Sequence, residues 1–232
     1  NPISDFIPVS RIADMLLNPG GPYNFNGEKR IYPDIKLVYW CGGNPFHHHQ
    51  DLNRLNNAWQ YPETIIVNEP WWTATAQRAD IVFPATTQFE RSDIGWAKGD
   101  PYIFYMPQMI PPVGLAKNDY DIFTALSKKL NCEEKFTENQ TSEEWIEGIY
   151  DKFHKQSKSQ GINVADLKTL KEKNFERMSI DLDEEDYVPF KAFRDDPLKN
   201  PLGTPSGKIE IYSEKIAKFN YPEIPGYPIF NK

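Results

Sequence analysis

Short apolar runs recur at a regular spacing over residues 36–83, and this spacing constrains the fold more than any other feature. The predicted strands are residues 36–40, 64–67 and 80–83, and the helical segments between them are residues 51–59 and 73–79. Strand, helix, strand, helix, strand is the order of a parallel sheet, whose strands are apolar on both faces because helices cover them. The sequence therefore predicts an α/β fold of three layers (αβα), in which a mainly parallel, Rossmann-like sheet forms the middle layer.

Further helices are predicted outside this unit from the spacing of apolar residues and from helix-start signals. Their ranges are residues 6–17, 118–131, 141–155 and 163–173. A run rich in proline and glycine at residues 18–22 ends the first of these helices and begins a polar loop.

The second half of the chain is less regular. Three prolines within residues 102–114 are expected to exclude that stretch from a central strand. Residues 175–205 are predicted as loop, and residues 206–219 as a short strand followed by a helical turn. We expect one αβα region over residues 1–174 and an extended loop, short strand and linker over residues 175–232.

Ligands of open α/β sheets bind in the crevice beyond the carboxyl ends of the strands. In this chain those ends carry CGGNPFHHHQD (41–51), NEPWWT (68–73) and PATTQFERSD (84–93). Trp71 and Trp72 can line such a crevice, or they can pack against the sheet. The pattern predicts a crevice of nucleotide size, and it does not by itself predict a reaction.

The first of these ends contains two glycines and three consecutive histidines. Gly43 lets the backbone approach a ligand closely, and Asn44 can hydrogen-bond a base or a phosphate, or it can be a turn residue. His47, His48 and His49 cannot share one metal, because neighbouring side chains diverge in a strand and in a helix. A metal site is therefore disfavoured, while a polar loop and a ligand contact both remain open.

Charged residues at the other end segments are also candidate ligand contacts. Arg91 can hold a phosphate through its guanidinium fork, although an ion pair with Glu90 or Asp93 is the commoner alternative. Asp119 and Asp121 stand at the start of a predicted helix, where a carboxylate can cap the helix. The other possibility is that one of these carboxylates accepts two N–H bonds from the edge of a guanine.

Charge and motifs exclude several classes of function. The chain has 26 basic and 33 acidic residues and a net charge of -7, which disfavours nucleic-acid binding. It has no run of 18 apolar residues, no Walker loop, no HExxH and no nucleophile elbow. Cys41 and Cys132 are expected to be free thiols, and the N-terminus lacks the pattern of a signal peptide.

Three long motifs carry a family resemblance. They are YWCGGNPFHHHQDLN, NEPWWTATAQRADIVFPATTQFER and NDYDIF, and IPVSRIADMLLNPG and SGKIEIYSE fit the same pattern. Together they resemble the dimethyl sulfoxide reductase family of molybdopterin guanine dinucleotide enzymes, in the branch of the trimethylamine N-oxide, dimethyl sulfoxide and biotin sulfoxide reductases. The resemblance covers most of the chain and is weakest over residues 133–200.

This resemblance implies a molybdenum oxidoreductase that reduces S-oxides or N-oxides by oxygen-atom transfer. The implied cofactor is bis(molybdopterin guanine dinucleotide) molybdenum, with this segment holding the guanosine end of one dinucleotide. Gly43 would allow close approach, Asn44 and His48 would contact the cofactor, Arg91 would bind phosphate or base, and Asp121 would bind the guanine. No residue of this segment matches a catalytic residue or a molybdenum ligand of the family.

The family's enzymes are about three times longer than this chain, so the resemblance also implies a fragment with an incomplete fold that is inactive alone. Its expected partners are the rest of the reductase polypeptide, a small S-oxide or N-oxide substrate and an electron donor, either a cytochrome or another reductant. Neither nucleic acid nor a membrane span is expected. The implied compartment is periplasmic, or cytoplasmic for a biotin sulfoxide reductase. A stand-alone module that binds a guanine nucleotide or the cofactor is the alternative.

Overall fold

The computed structural model describes residues 5–97, 100–178 and 188–230. Within these residues the strands are β1 (Pro22–Phe25), β2 (Glu28–Ile31), β3 (Leu37–Cys41), β4 (Thr64–Glu69), β5 (Ile81–Pro84), β6 (Asp93–Gly95), β7 (Tyr102–Met106) and β8 (Phe175–Arg177). The helices are α1 (Ile12–Leu17), α2 (Pro45–His48), α3 (Leu52–Ala58), α4 (Asp119–Lys129), α5 (Glu133–Thr137), α6 (Ser142–Ser159), α7 (Leu167–Lys173), α8 (Lys191–Asp195) and α9 (Glu214–Ala217). None of the described helices is long and apolar enough to cross a membrane.

The chain divides into two compact units. Unit 1 consists of Asn1–Leu17 and Ile35–Asp181, and unit 2 consists of Asn18–Asp34 and Leu182–Lys232. The domain boundary expected at residues 174 and 175 stays a prediction.

The parallel sheet of unit 1 has the order β3-β4-β5, and Val38 pairs with Ile65 while Val67 pairs with Val82. The predicted α/β class and βαβαβ unit are confirmed. One core of eight buried residues covers this sheet: Ala13, Leu16, Phe46, Leu55, Ala58, Trp59, Ile65 and Val67. These residues come from α1, α2, α3 with the following Trp59, and β4, so these helices bury one face of the strands.

The predicted helices over residues 118–131, 141–155 and 163–173 are also confirmed, as α4, α6 and α7. Each begins where a side chain accepts a backbone N–H of the first turn, from Asn118, Thr141 and Asp166. Glu144 completes a capping box with Thr141, as its position in the sequence predicts.

The exclusion of residues 102–114 from a central strand is wrong for the first five residues. β7 is the central strand of an antiparallel sheet, with β6 on one side and β8 on the other. The prolines do not interfere because Pro107 follows the last paired residue, Met106. β8 and α8 also lie within the range predicted as loop.

Unit 2 contains a hairpin where a loop was predicted. Asn26 and Gly27 both have positive φ, of 48° and 87°, and join β1 to β2 in the turn geometry that antiparallel strands favour. The strand predicted within residues 206–219 is wrong: Ile209 and Ile211 alternate as in a strand but are 75% and 77% exposed, outside any described strand. Only the following helical turn, α9, is present, capped by Ser213.

Candidate functional site

A cavity of about 490 Å³ lies in unit 1, between the segment after β5 and the first turns of α4 and α6. Its lining consists of Glu90, Arg91, Ser92, Asp93, Gln108, Pro112, Asn118, Asp119, Tyr120, Asp121, Ser142, Glu143, Trp145 and Ile146. The structure thus brings together two predicted site residues, Arg91 and Asp121. The other three, Gly43, Asn44 and His48, are not part of this lining.

Glu90 fixes the segment that carries Arg91. Its carboxylate accepts the backbone N–H and the hydroxyl of Thr87, both at 2.8 Å, and the backbone N–H of Val113 at 2.6 Å. These hydrogen bonds, first of all the one from the Thr87 N–H, hold the pKa of Glu90 below its usual value. The Glu90 residue is only 6% exposed. Through these hydrogen bonds it connects the segment that contains Thr87 to the segment that contains Val113, and both segments contribute to one wall of the cavity.

Arg91 forms an ion pair through Nη1 with Asp93, and both side chains are about one-third exposed. The alternative interpretation of this arginine as an ion-pair partner of Asp93 is therefore confirmed. Arg91 is also the only cationic residue in the described lining, against the five carboxylates of Glu90, Asp93, Asp119, Asp121 and Glu143. Since carboxylates only accept hydrogen bonds, such a cavity suits a ligand edge that presents N–H donors.

The first turn of α4 presents two of these carboxylates. Asn118 is the N-cap, and its Oδ1 accepts the N–H of Asp121 at 2.7 Å, so neither aspartate caps the helix. Asp119 Oδ1 instead accepts from Asn68 Nδ2 at 2.8 Å. The Asp121 carboxylate is exposed and has no side-chain partner within the described part of the chain. Both side chains lie at the N-terminal end of α4.

The glycine and histidine loop lies at the carboxyl end of β3. Gly42 and Gly43 both have a φ of +71°, and a Cβ at either position would meet open space. The backbone there is accessible to a ligand, but an L side chain would be strained in this conformation. His48 is exposed at the end of α2. Among the residues that the structure describes, no group of three or more histidine, cysteine or acidic side chains could hold a metal ion.

Asn44 is the N-cap residue of α2, with Pro45 at the first helical position, but its side chain does not cap the helix. Its Oδ1 accepts a hydrogen bond from the Thr75 hydroxyl, and Thr75 is fully buried. Asn44 Nδ2 is a buried donor without a partner in the described structure. A buried amide that lacks an acceptor is costly, so this nitrogen is available to an acceptor atom of a ligand.

Reasoning from the sequence missed several residues of this site. Ser142, Glu143 and Trp145 line the cavity. Their only signal in the sequence is the capping box that starts α6, which does not indicate proximity to Arg91. Asn68 was also missed, although it lies in an end segment of the sheet. Trp71 and Trp72 are 68% and 69% exposed, so the interpretation that they pack against the sheet is wrong.

Comparisons with known proteins agree with the resemblance found in the motifs. A sequence model of the family described as Molybdopterin oxidoreductase matches residues 22–129. The chain is 47% identical over 228 residues to a biotin sulfoxide reductase of Cereibacter sphaeroides, covering 98% of this chain and 30% of that protein. It is 46% identical over 226 residues to a trimethylamine-N-oxide reductase of Haemophilus influenzae, covering 95% of this chain and 27% of the relative.

A third relative is a dimethyl sulfoxide/trimethylamine N-oxide reductase of Rhodobacter capsulatus, 44% identical over 225 residues, 96% of this chain and 27% of that protein. The chain thus spans less than one-third of the length of these curated relatives. Among solved structures, an acetylene hydratase from Pelobacter acetylenicus matches with a TM-score of 0.52 and 19% identity, over 86% of this chain and 24% of that one. At this identity the match shows a shared fold.

Proposed function

We propose, from the match of residues 22–129 to the Molybdopterin oxidoreductase family and from the similarity to S- and N-oxide reductases, that the chain binds the guanosine end of one molybdopterin guanine dinucleotide within a molybdenum S- or N-oxide reductase. The observation that carries this proposal is the donor and acceptor composition of the cavity, where five carboxylates and one arginine meet in about 490 Å³. That volume is within the range of small-ligand sites.

Guanine is the base that suits such a lining. Its edge presents a ring N–H and an exocyclic amino group side by side, and one carboxylate can accept both, whereas adenine lacks this pair of adjacent donors. Asp121 supplies that carboxylate in the proposal, since it lines the cavity and its oxygens are not engaged by other described side chains.

Arg91 binds the carbonyl edge of the base or a phosphate of the same dinucleotide. Its guanidinium has five N–H donors, and the ion pair with Asp93 engages Nη1. The remaining donors can therefore bind a ligand while Asp93 keeps the side chain in place.

The loop at the end of β3 provides the second group of contacts in the proposal. Gly43 lets the backbone approach the dinucleotide, and Asn44 Nδ2 and His48 hydrogen-bond its phosphate or ribose. The positive φ of Gly43, the open space beside it and the unpaired amide nitrogen of Asn44 support this assignment.

The reductase that contains this segment uses, in the proposal, bis(molybdopterin guanine dinucleotide) molybdenum, which supplies the oxygen-atom transfer when bound. The residues of this chain supply binding and orientation, and the chain alone has no turnover. The partners are the rest of the polypeptide, an S-oxide or N-oxide, and a cytochrome or another reductant. The compartment is periplasmic, or cytoplasmic for an enzyme of the biotin sulfoxide reductase type.

Calorimetric titration of the chain with GDP and ADP tests the binding. We expect GDP to bind at least about tenfold more tightly than ADP, because a site that loses paired hydrogen bonds loses about 1–3 kcal/mol. Asp121→Asn should abolish most of this preference, since an amide cannot accept both donors with two oxygens, while ADP affinity stays the same. Equal affinity for GDP and ADP in the unaltered chain would refute the proposal.

Turnover is tested separately with reduced viologen and trimethylamine N-oxide. Appreciable turnover by the chain alone would contradict the proposal that this segment only binds and orients the cofactor. Submicromolar GDP affinity without turnover would instead favour a stand-alone module that binds a guanine nucleotide.

A further inference from the structure

Asn68 lies at the carboxyl end of β4 and connects the parallel sheet to α4. Its Oδ1 accepts a hydrogen bond from the Tyr39 hydroxyl at 3.0 Å, and its Nδ2 donates to Asp119 Oδ1 at 2.8 Å. Asn68 is 5% exposed, whereas Asp119 is exposed, so both bonds run from a buried amide to the edge of the sheet. The two bonds join β3, β4 and α4 through residues that are 29 and 51 positions apart in the chain.

The chemistry of the three groups determines the direction of these bonds. An ionised carboxylate only accepts, so Asp119 needs a donor, and the amide nitrogen is the only donor on the Asn68 side chain. Asn68 Oδ1 then faces Tyr39, whose hydroxyl can donate. If the amide were rotated by half a turn, its oxygen would face the carboxylate oxygen and repel it. The Asp119 carboxylate therefore selects the amide orientation, and the Tyr39 hydroxyl, which donates to Oδ1, adds a second bond that holds the Asn68 side chain in place.

This connection fixes the part of the cavity wall that carries Asp121. Asp119 and Asp121 are both in the first turn of α4, and both line the cavity together with Asn118. Asn118 holds the backbone N–H of Asp121, while Asn68 holds the side chain of Asp119. The first turn is thus attached to the sheet by a partly buried hydrogen bond to a carboxylate, and such a bond is stronger than one between neutral groups.

We propose that Asn68 is a positioning residue for guanine binding, which keeps Asp121 in place by anchoring the first turn of α4 through Asp119. Asn68 itself does not touch the base. The inference rests on the function proposed above, and the recognised group is the same pair of adjacent N–H donors on a guanine base.

GDP titrations of three variants of the full chain test this role. Asn68→Leu removes both hydrogen bonds at similar side-chain size and is expected to weaken GDP binding about tenfold, with ADP affinity unchanged. The exchange of the two side chains, Asn68→Asp combined with Asp119→Asn, restores both bonds, because the carboxylate then accepts from Tyr39 and from the amide. We expect this exchange to recover GDP affinity to within about threefold of the unaltered chain.

Tyr39→Phe is the third variant and tests the anchor even if Asn68→Leu does not fold. It is expected to weaken GDP binding about three- to fivefold. Tyr150→Phe is its matched control, because it also removes one tyrosine hydroxyl that is hydrogen-bonded, here to the Ala165 carbonyl at 2.9 Å, and Tyr150 does not line the cavity. The control should bind GDP normally.

Two results would overturn the positioning role. If GDP affinity is insensitive to Asn68→Leu and Tyr39→Phe, the anchor does not matter for binding. If the exchange binds GDP as weakly as Asn68→Leu, the charge of Asp119 contacts the ligand directly. Failure of the unaltered chain to prefer GDP over ADP would instead overturn the proposed function, and this inference with it.

Discussion

Replacing Tyr150 by phenylalanine should change the stability of unit 1 in a way that reverses with pH. The Tyr150 ring is 2% exposed, and its hydroxyl donates to the Ala165 carbonyl at 2.9 Å. Ile103, Val164, Leu170 and Met178 complete the buried cluster around it. Burial, first of all, and the nearby carboxylates of Glu176 and Asp166 together raise the pKa of Tyr150 from 10.0 to about 12.

The magnitude follows from the hydrogen bond and from this pKa. At neutral pH, Tyr150→Phe removes a hydrogen bond and leaves a buried carbonyl without its donor, which should lower the free energy of unfolding by about 1–2 kcal/mol. The unfolded chain ionises this phenol near pH 10, whereas the folded chain keeps it neutral to about pH 12. The contribution of Tyr150 is therefore complete below about pH 10 and is lost as the pH rises, by at most about 2.7 kcal/mol over two pH units.

Urea unfolding of both proteins, followed by far-ultraviolet circular dichroism from about pH 8 to about pH 11.5, measures this difference. The unaltered chain should be the more stable at about pH 8, and its advantage should shrink steadily above about pH 10. Tyr61→Phe is the control at about pH 8: its ring is 60% exposed, so stability should change by less than about 0.5 kcal/mol. A constant difference between Tyr150→Phe and the unaltered chain across this range would refute the reasoning.

Other predictions concern the cavity wall and the core. Glu90→Gln should destabilise the chain at neutral pH, because an amide cannot accept all three bonds. Since the pKa of Glu90 is lowered in the folded chain, the advantage of the carboxylate should be lost as the pH falls below 4.5, the ordinary value for this group, and urea unfolding at neutral and at acidic pH measures the loss. Leu55→Ala should lower the free energy of unfolding by about 2–5 kcal/mol, because Leu55 is fully buried, whereas Leu115→Ala, at an 87% exposed position, should change it by less than about 0.5 kcal/mol. Equal effects of the two leucine variants would contradict the assigned core.

Local signals in the sequence predicted those parts of the structure that depend on neighbouring residues. The apolar runs of β3, β4 and β5, the helical segment that became α3 and the capping box of α6 were all predicted correctly. The alternation of apolar residues at Ile209 and Ile211 predicted a strand that the structure does not contain. Alternation alone is insufficient, because a strand forms only when another strand pairs with its backbone hydrogen-bonding groups. The hairpin turn at Asn26 and Gly27 was predicted only as a polar loop, although an Asn-Gly pair is a sequence signal for this type of turn.

The candidate site was also predicted only in part from the sequence. Its individual residues were recognisable because each lies at a strand end or at a helix start, where side chains and backbone groups are free to meet a ligand. That Arg91 and Asp121 share one cavity, whereas Asn44 is engaged with Thr75 elsewhere, depends on contacts between residues about 30 positions apart. Local patterns carry no information about such contacts.

The sequence by itself determined the fold class, the resemblance to one enzyme family and the residue types available at the sheet's carboxyl edge, since periodicity and motifs are local and can be read without the folded structure. Only the tertiary structure decided which side chains are already occupied: Asn44 by Thr75, Arg91 by Asp93, and Asp119 by Asn68. The physical reason is that each polar group takes whatever partner packing places within hydrogen-bonding distance, and in the described lining this leaves the Asp121 and Glu143 carboxylates without a side-chain partner.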